Sequence, residues 1–304
     1  MLPKDKLVFV YLHGFGGVKE NPRFCVNLRE FLAKAPCNCE VRNYEWDSVD
    51  IRIMKAGASW LAAEKKADAE AERFKRRVID KLEREATPYV LVGFSIGSRV
   101  ILRAVEESRG TLRMLRGVYF LGAAMTRDTT LDKGCLPRGM KVINYHSPAR
   151  DSVHRIAFNF MEEIPAGGRV GFDDNEVFDN YAVSCTHAYK GVGPHIDYSQ
   201  LAYAIGYVAL LKERIFVPGD TAYNIAAPVG EGDVWWNKIL RMDGTIKGQP
   251  CTLEIEQLNL NLDYFRAIAV SSDGARRRVA RGNNLHAILD ALGVLPASYW
   301  RKPE

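Results

Sequence analysis

The run Tyr89-Val90-Leu91-Val92-Gly93-Phe94-Ser95-Ile96-Gly97-Ser98-Arg99-Val100-Ile101-Leu102 constrains the chain most. It opens as an apolar strand and closes as a helix, with Gly-Phe-Ser-Ile-Gly at the join. That spacing has a steric reason. A serine on a tight strand-to-helix turn has its hydroxyl lifted above the sheet edge, and only small residues fit two places before and after it. Gly93 and Gly97 occupy those places. An ordinary strand-to-helix turn carrying a serine is the plainer reading, so the rest of the chain must supply partners.

The 304 residues are 47% hydrophobic, enough for a substantial core, and the net charge of +5 is mildly basic. By length the chain is one large α/β domain, or one domain with a small appendage. No apolar run reaches the roughly 20 residues of a membrane span. Met1-Leu2-Pro3-Lys4-Asp5-Lys6 lacks the apolar core and cleavage site of a signal peptide, so a cytoplasmic protein is expected, with export by another route left open. Cys25, Cys37, Cys39, Cys135, Cys185 and Cys251 do not form paired C-x-x-C ligands. They read as free thiols in a reducing compartment, and no zinc site is expected. No H-E-x-x-H occurs, and no cofactor or metal is expected.

In chain order, Leu7 to Leu12 is a continuous apolar run, as in a strand covered on both faces. It leads into His13-Gly14-Phe15-Gly16-Gly17. This loop lacks the endings of a phosphate cradle, and aiming backbone N–H groups at a developing oxyanion is its better use. Residues 20–33 read as a helix with Phe24, Leu28, Phe31 and Leu32 on one face. Cys39 to Tyr44 is a second strand. Residues 47–66 are a capped helix or a mobile flap, and 67–85 an amphipathic helix. A helix follows the serine, over 96–108. Further strands are expected at 117–122, 140–146 and 177–184, and an apolar helix at 198–215. Alternating strands and helices predict a mostly parallel sheet with helices on both faces.

Loops at the carboxyl ends of such strands hold the site of an open α/β sheet. Here they carry His13-Gly14-Phe15, Ser95, Pro148-Ala149-Arg150-Asp151 and Gly193-Pro194-His195. With these residues in this order the chain resembles an α/β-hydrolase of the serine esterase or lipase type, over roughly residues 7–215. The resemblance implies a trimmed sheet of about six strands. It also implies Ser95 as nucleophile, His195 as general base, Asp151 as the acid that orients it, and the N–H groups of Phe15 and Ile96 as the oxyanion hole. His13 and Gly14 would lie beside the substrate, His13 as a structural member of its loop. Asp173, Asp174 and Asp179 rival Asp151, and His187 rivals His195. His146 and His154 read as helpers or surface residues.

Beyond about residue 216 the character changes, which divides the chain into a catalytic domain, 1–215, and a small α+β domain, 216–304. Strand-like runs lie at 234–236, 251–255 and 264–270. A hairpin turn falls at Ser271-Ser272-Asp273-Gly274, a returning strand at 275–281, and a closing helix at 285–292. Arg276, Arg277, Arg278 and Arg281 beside Tyr264 and Phe265 form a candidate contact for nucleic acid or an anionic membrane; a hairpin with solvated basic side chains is the plainer account. The expected activity is hydrolysis of small-molecule or lipid carboxylic esters. Acyl transfer, thioester or amide cleavage by the same serine, and a non-catalytic binding scaffold, stay open.

Overall fold

In the computed structural model, the described residues are 6–14, 22–33, 38–48, 56–147, 164–183, 198–199, 201–212, 227–228, 236–246, 249–258, 261–282 and 288. Six parallel strands form the main sheet: β1 (Leu7–Leu12), β2 (Cys39–Tyr44), β3 (Tyr89–Phe94), β4 (Leu115–Leu121), β5 (Val142–His146) and β6 (Phe178–Ala182). Their order is β2-β1-β3-β4-β5-β6. The serine therefore leaves a central strand, and the glycine loop leaves the strand beside it, with Leu12 in register with Gly93.

Period-two alternation explains why these strands are apolar throughout. Leu7, Phe9, Tyr11, Val90 and Val92 point to one core layer, with α1 (Arg23–Leu32) and the helix Leu201–Lys212 packed on that face. Val8, Val10, Leu12, Leu91, Val118 and Phe120 point to the other, under α2 (Ala56–Phe74) and α4 (Gly97–Glu107). The helix expected from residue 67 starts at Ala56. It continues through a π turn, Lys75–Ile79, into α3 (Asp80–Arg84). Ala63, Ala67, Ala71 and Phe74 are buried on the sheet. Helix packing thus takes up the second half of the segment read as a flap, while 49–55 lie outside the described residues. The short helix Gly167–Val170 is α5, and Leu201–Lys212 is α6.

The appendage is a five-stranded antiparallel sheet of β7 (Ala227–Pro228), β8 (Trp236–Ile246), β9 (Gln249–Leu258), β10 (Asn261–Ser271) and β11 (Arg276–Gly282), ordered β7-β11-β10-β9-β8. The hairpin turn forms as read: Ser271 N–H donates to the Ala275 carbonyl at 2.9 Å, and Gly274 takes φ +84°. Of the closing helix, only Ile288 is among the described residues. Leu253, Ile255, Phe265 and Ala267 line one face of this sheet and join the same hydrophobic cluster as α1 and α6. The opposite face carries Glu254, Glu256, Arg266 and Arg276. Arg266 pairs with Glu256 at 2.7 Å, and Arg276 bridges Glu254 at 2.8 Å and Glu256 at 2.6 Å.

One expectation is corrected. Cys39, half-buried at the start of the sheet-edge strand β2, is disulfide-bonded, to a partner outside the described residues. Cys25, Cys135 and Cys251 are not disulfide-bonded.

Candidate active site

Ser95 has φ +53°, a left-handed conformation that a non-glycine residue adopts at a cost. Backbone bonds hold it there. Its N–H donates to the Leu121 carbonyl at 3.0 Å, and its own carbonyl accepts from Ser98 and Ala124, each at 3.1 Å. The flanking glycines are obligatory because backbones meet at them. A Cβ on Gly93 would stand 2.6 Å from Ser98 Cα, and one on Gly97 would stand 2.6 Å from the Leu12 carbonyl oxygen and 2.7 Å from that of His13. The Ser98 hydroxyl locks the turn by donating to the Gly93 carbonyl at 2.9 Å.

The glycine loop reaches the serine. A Cβ on Gly14 would lie 2.7 Å from Ser95 Cβ and 3.3 Å from its Oγ. His13 is buried, and its Nδ1 lies 2.8 Å from the Gly14 carbonyl oxygen. A carbonyl can only accept, so Nδ1 carries the proton. Burial holds this ring below the ordinary histidine value, against the opposing pull of the Gly14 bond. His13 is therefore tied to its own loop, as its structural reading expected. Ile96 caps α4 and is buried; among the described residues its N–H has no hydrogen-bond acceptor.

Phe15, Asp151, His154, His187 and His195 lie outside the described residues. Residues 148–163 leave β5 after Ser147, whose N–H is fixed to the Gly168 carbonyl of α5 at 3.1 Å. Residues 184–197 leave β6 after Val183, bonded to the His146 carbonyl at 2.7 Å, and rejoin the described chain at Tyr198. Tyr198 is buried with its ring edge-on to Phe94, centroids 6.1 Å apart. A Cβ on Gly122 would stand 2.9 Å from its Cε2 and its Oη. Asn27 Nδ2 donates to the next carbonyl, that of Ser199, at 3.0 Å. The chain segment holding both candidate bases thus ends against the residue that precedes Ser95.

The rival acids are engaged elsewhere. Arg127 chelates Asp173 and holds its carboxyl below the usual range, Asp174 accepts from the Glu176 N–H at 3.1 Å, and Asp179 pairs with Lys141 at 3.2 Å near the start of β6. His146 Nδ1 lies 3.3 Å from the Arg169 carbonyl of α5, and burial holds its pKa down. No cluster of His, Cys, Asp or Glu among the described residues is arranged to hold a metal. Sequence reasoning missed Trp46. Its indole N–H donates to the His13 carbonyl at 3.1 Å, and its ring stacks on the imidazole at 5.9 Å. The position of β2 beside β1 brings it there, and no local pattern announces that.

No family model matches the chain, and no curated protein sequence does. Among solved structures it is similar to a cutinase-like protein from Cryptococcus sp., at 14% identity over 69% of this chain and 92% of that one, with a TM-score of 0.35. It is also similar to TT1662 from Thermus thermophilus, at 17% identity over 69% and 90%, TM-score 0.40. The catalytic core domain of acetyl xylan esterase from Trichoderma reesei matches at 12% identity over 70% and 98%, TM-score 0.38. A strained serine on the central strand of an all-parallel sheet, with a glycine loop from the neighbouring strand pressed against it, gives this chain the α/β-hydrolase fold.

Proposed function

We propose that the protein is a serine hydrolase that cleaves carboxylic esters through an acyl-enzyme on Ser95. The observation that carries this reading is the Ser95 turn itself, strained, locked by three backbone bonds and touched by Gly14. Strain of this kind persists only where the surroundings enforce it, and it is concentrated at reacting side chains.

In this reading Ser95 Oγ attacks the ester carbonyl carbon while His195 takes its proton. The carbonyl π pair moves onto oxygen, where the N–H groups of Ile96 and Phe15 receive the charge. Collapse of the adduct breaks the bond to the alcohol oxygen, which leaves with the proton from His195. Water then attacks the acyl-enzyme by the same steps, returning the proton to Ser95. Asp151 orients the imidazole and stabilises its charged form.

Chain length supports both partners. Asp151 is four residues beyond the fixed Ser147, within about 14 Å of it along an extended chain. His195 is three residues before Tyr198, so its Cα lies within about 11 Å of that of Tyr198, whose ring packs on Phe94. His187 hangs four residues from Val183, at the sheet's far edge three strands, or about 14 Å, from β3, so its tether spans that gap only when fully extended. This favours His195 as the base.

Within this proposal residues 1–215 form the catalytic unit and 216–304 pack onto it. The substrate is a small or lipid ester. In the basic hairpin and its neighbour, Phe265 faces the core and Arg276 pairs with two carboxylates, which withdraws these two residues from any nucleic-acid or membrane contact. No described helix is long and apolar enough to cross a membrane. The test is turnover of short p-nitrophenyl esters. Ser95→Ala and His195→Ala are each expected to lower kcat by at least about a thousandfold, with His187→Ala well above both. Full turnover in Ser95→Ala removes the mechanism; full turnover in His195→Ala moves the base to another residue.

A further inference from the structure

Trp46 lies two residues beyond the end of β2, the strand next to β1, so the segment after β2 runs beside the glycine loop. Its half-buried indole makes two contacts with one residue of that loop. The ring lies over the His13 imidazole, tilted by 22°, and the N–H donates to the His13 carbonyl oxygen. The same carbonyl sits against Gly97, in the first turn of the helix that carries the serine turn. The His13 ring in turn grips the next carbonyl, that of Gly14. Two successive carbonyls of the loop are therefore fixed, one by Trp46 and one by His13.

This matters because an oxyanion hole works by preorganisation. Its N–H groups must already point at the place where charge develops, and a loop free to rotate its peptide planes loses that advantage. A peptide plane is rigid, so fixing a carbonyl fixes the N–H on its other side. Gly14 is the loop residue pressed on Ser95, and its backbone is the part so constrained.

We propose that Trp46 is a positioning residue of the oxyanion hole: its indole N–H and ring face hold His13, and through it the Gly14 backbone, against Ser95. The proposal rests on the reading of Ser95 as the nucleophile. Trp46 itself touches no reacting atom in this scheme. Its effect belongs to the transition state rather than to substrate binding.

The test uses the full chain, with Trp46→Phe, which keeps an aromatic ring and removes the N–H, and Trp46→Leu, which removes both contacts. Thermal unfolding identifies the folded variants, and all rates are taken below the lowest midpoint. Should Trp46→Leu not fold, Trp46→Phe carries the test. Expected for Trp46→Phe is a fall in kcat of about tenfold on a p-nitrophenyl butanoate substrate, with KM within about twofold. Inhibition by phenylboronic acid, whose tetrahedral serine adduct imitates the oxyanion, is expected to weaken by a similar factor. The pH midpoint of kcat should stay in place, because the base is untouched. Wild-type kcat and boronate affinity in a folded Trp46→Phe overturn the proposal. So does a loss confined to KM, or a fall in kcat with boronate affinity unchanged or the pH midpoint displaced. Failure of the underlying reading looks different: Ser95→Ala would then keep its turnover whatever Trp46 does.

Discussion

Ser95 and its two glycines behave as one unit. The serine's positive φ is tolerated because Leu121, Ser98 and Ala124 hold its backbone, and that clamp needs Gly97 to let the Leu12 and His13 carbonyls approach. Gly97→Ala puts a methyl into backbone atoms that cannot swing aside. It is expected to cost about 3 kcal/mol of stability, read as a shift in the urea midpoint, and to reduce the proposed esterase activity further than that loss explains. His13 and His146 add a pH dependence. Burial lowers both native pKa values from 6.5, so below that pH the unfolded chain binds protons that the folded rings refuse. Stability is full above 6.5 and is lost as pH falls toward the native values. His146→Asn is expected to narrow the gap between urea midpoints at about pH 7.5 and about pH 5. An unchanged gap would mean that His146 is not buried in its neutral form.

At the scale of elements, α2 braces the helix behind the serine. Arg99, one turn after Ser95, chelates Asp68 at 2.8 and 3.0 Å and reaches Glu64 at 2.7 Å, both on α2. Arg99→Met is expected to lower stability by about 1 kcal/mol, because the ion pair is only partly shielded from water, and the effect should shrink in high salt. The main sheet was legible because strands buried on both faces leave continuous apolar runs; β1 spans the same residues, 7–12, that its sequence run marks. The glycine turn was legible because its spacing has a steric cause. Helix α2 was legible from residue 67 onward. Its start at Ala56 was not, because the buried positions there, Ala63 and Ala67, carry little hydrophobic contrast. Trp46 was not legible either, since its place depends on strand order rather than on local pattern. The ion pairs of Arg276 were not legible, because the two carboxylates it meets lie on a different strand.

At the scale of the molecule, the appendage and the main sheet share one apolar layer. Ile255 and Phe265 are buried in the same cluster as Phe9, Leu28 and Ile205. Ile255→Ala or Phe265→Ala is expected to cost about 3 kcal/mol and to lower a single unfolding transition followed by both fluorescence and activity. Two separate transitions, with activity lost in the unaffected one, would mean that the units are independent. The Cys39 disulfide is expected to yield two more alkylated thiols after reduction of the denatured protein than before, and its survival in cells would argue for an oxidising compartment over the cytoplasm. Cys25 should resist alkylation in the native state, since burial pushes its thiol up to about 12. All of this surrounds one claim, that Ser95 is a reactive nucleophile, and a fluorophosphonate probe followed by peptide mass spectrometry tests it most directly. A single adduct on the peptide holding Ser95, absent from Ser95→Ala, is the expected result. No adduct at all, or labelling that persists in Ser95→Ala, would contradict it.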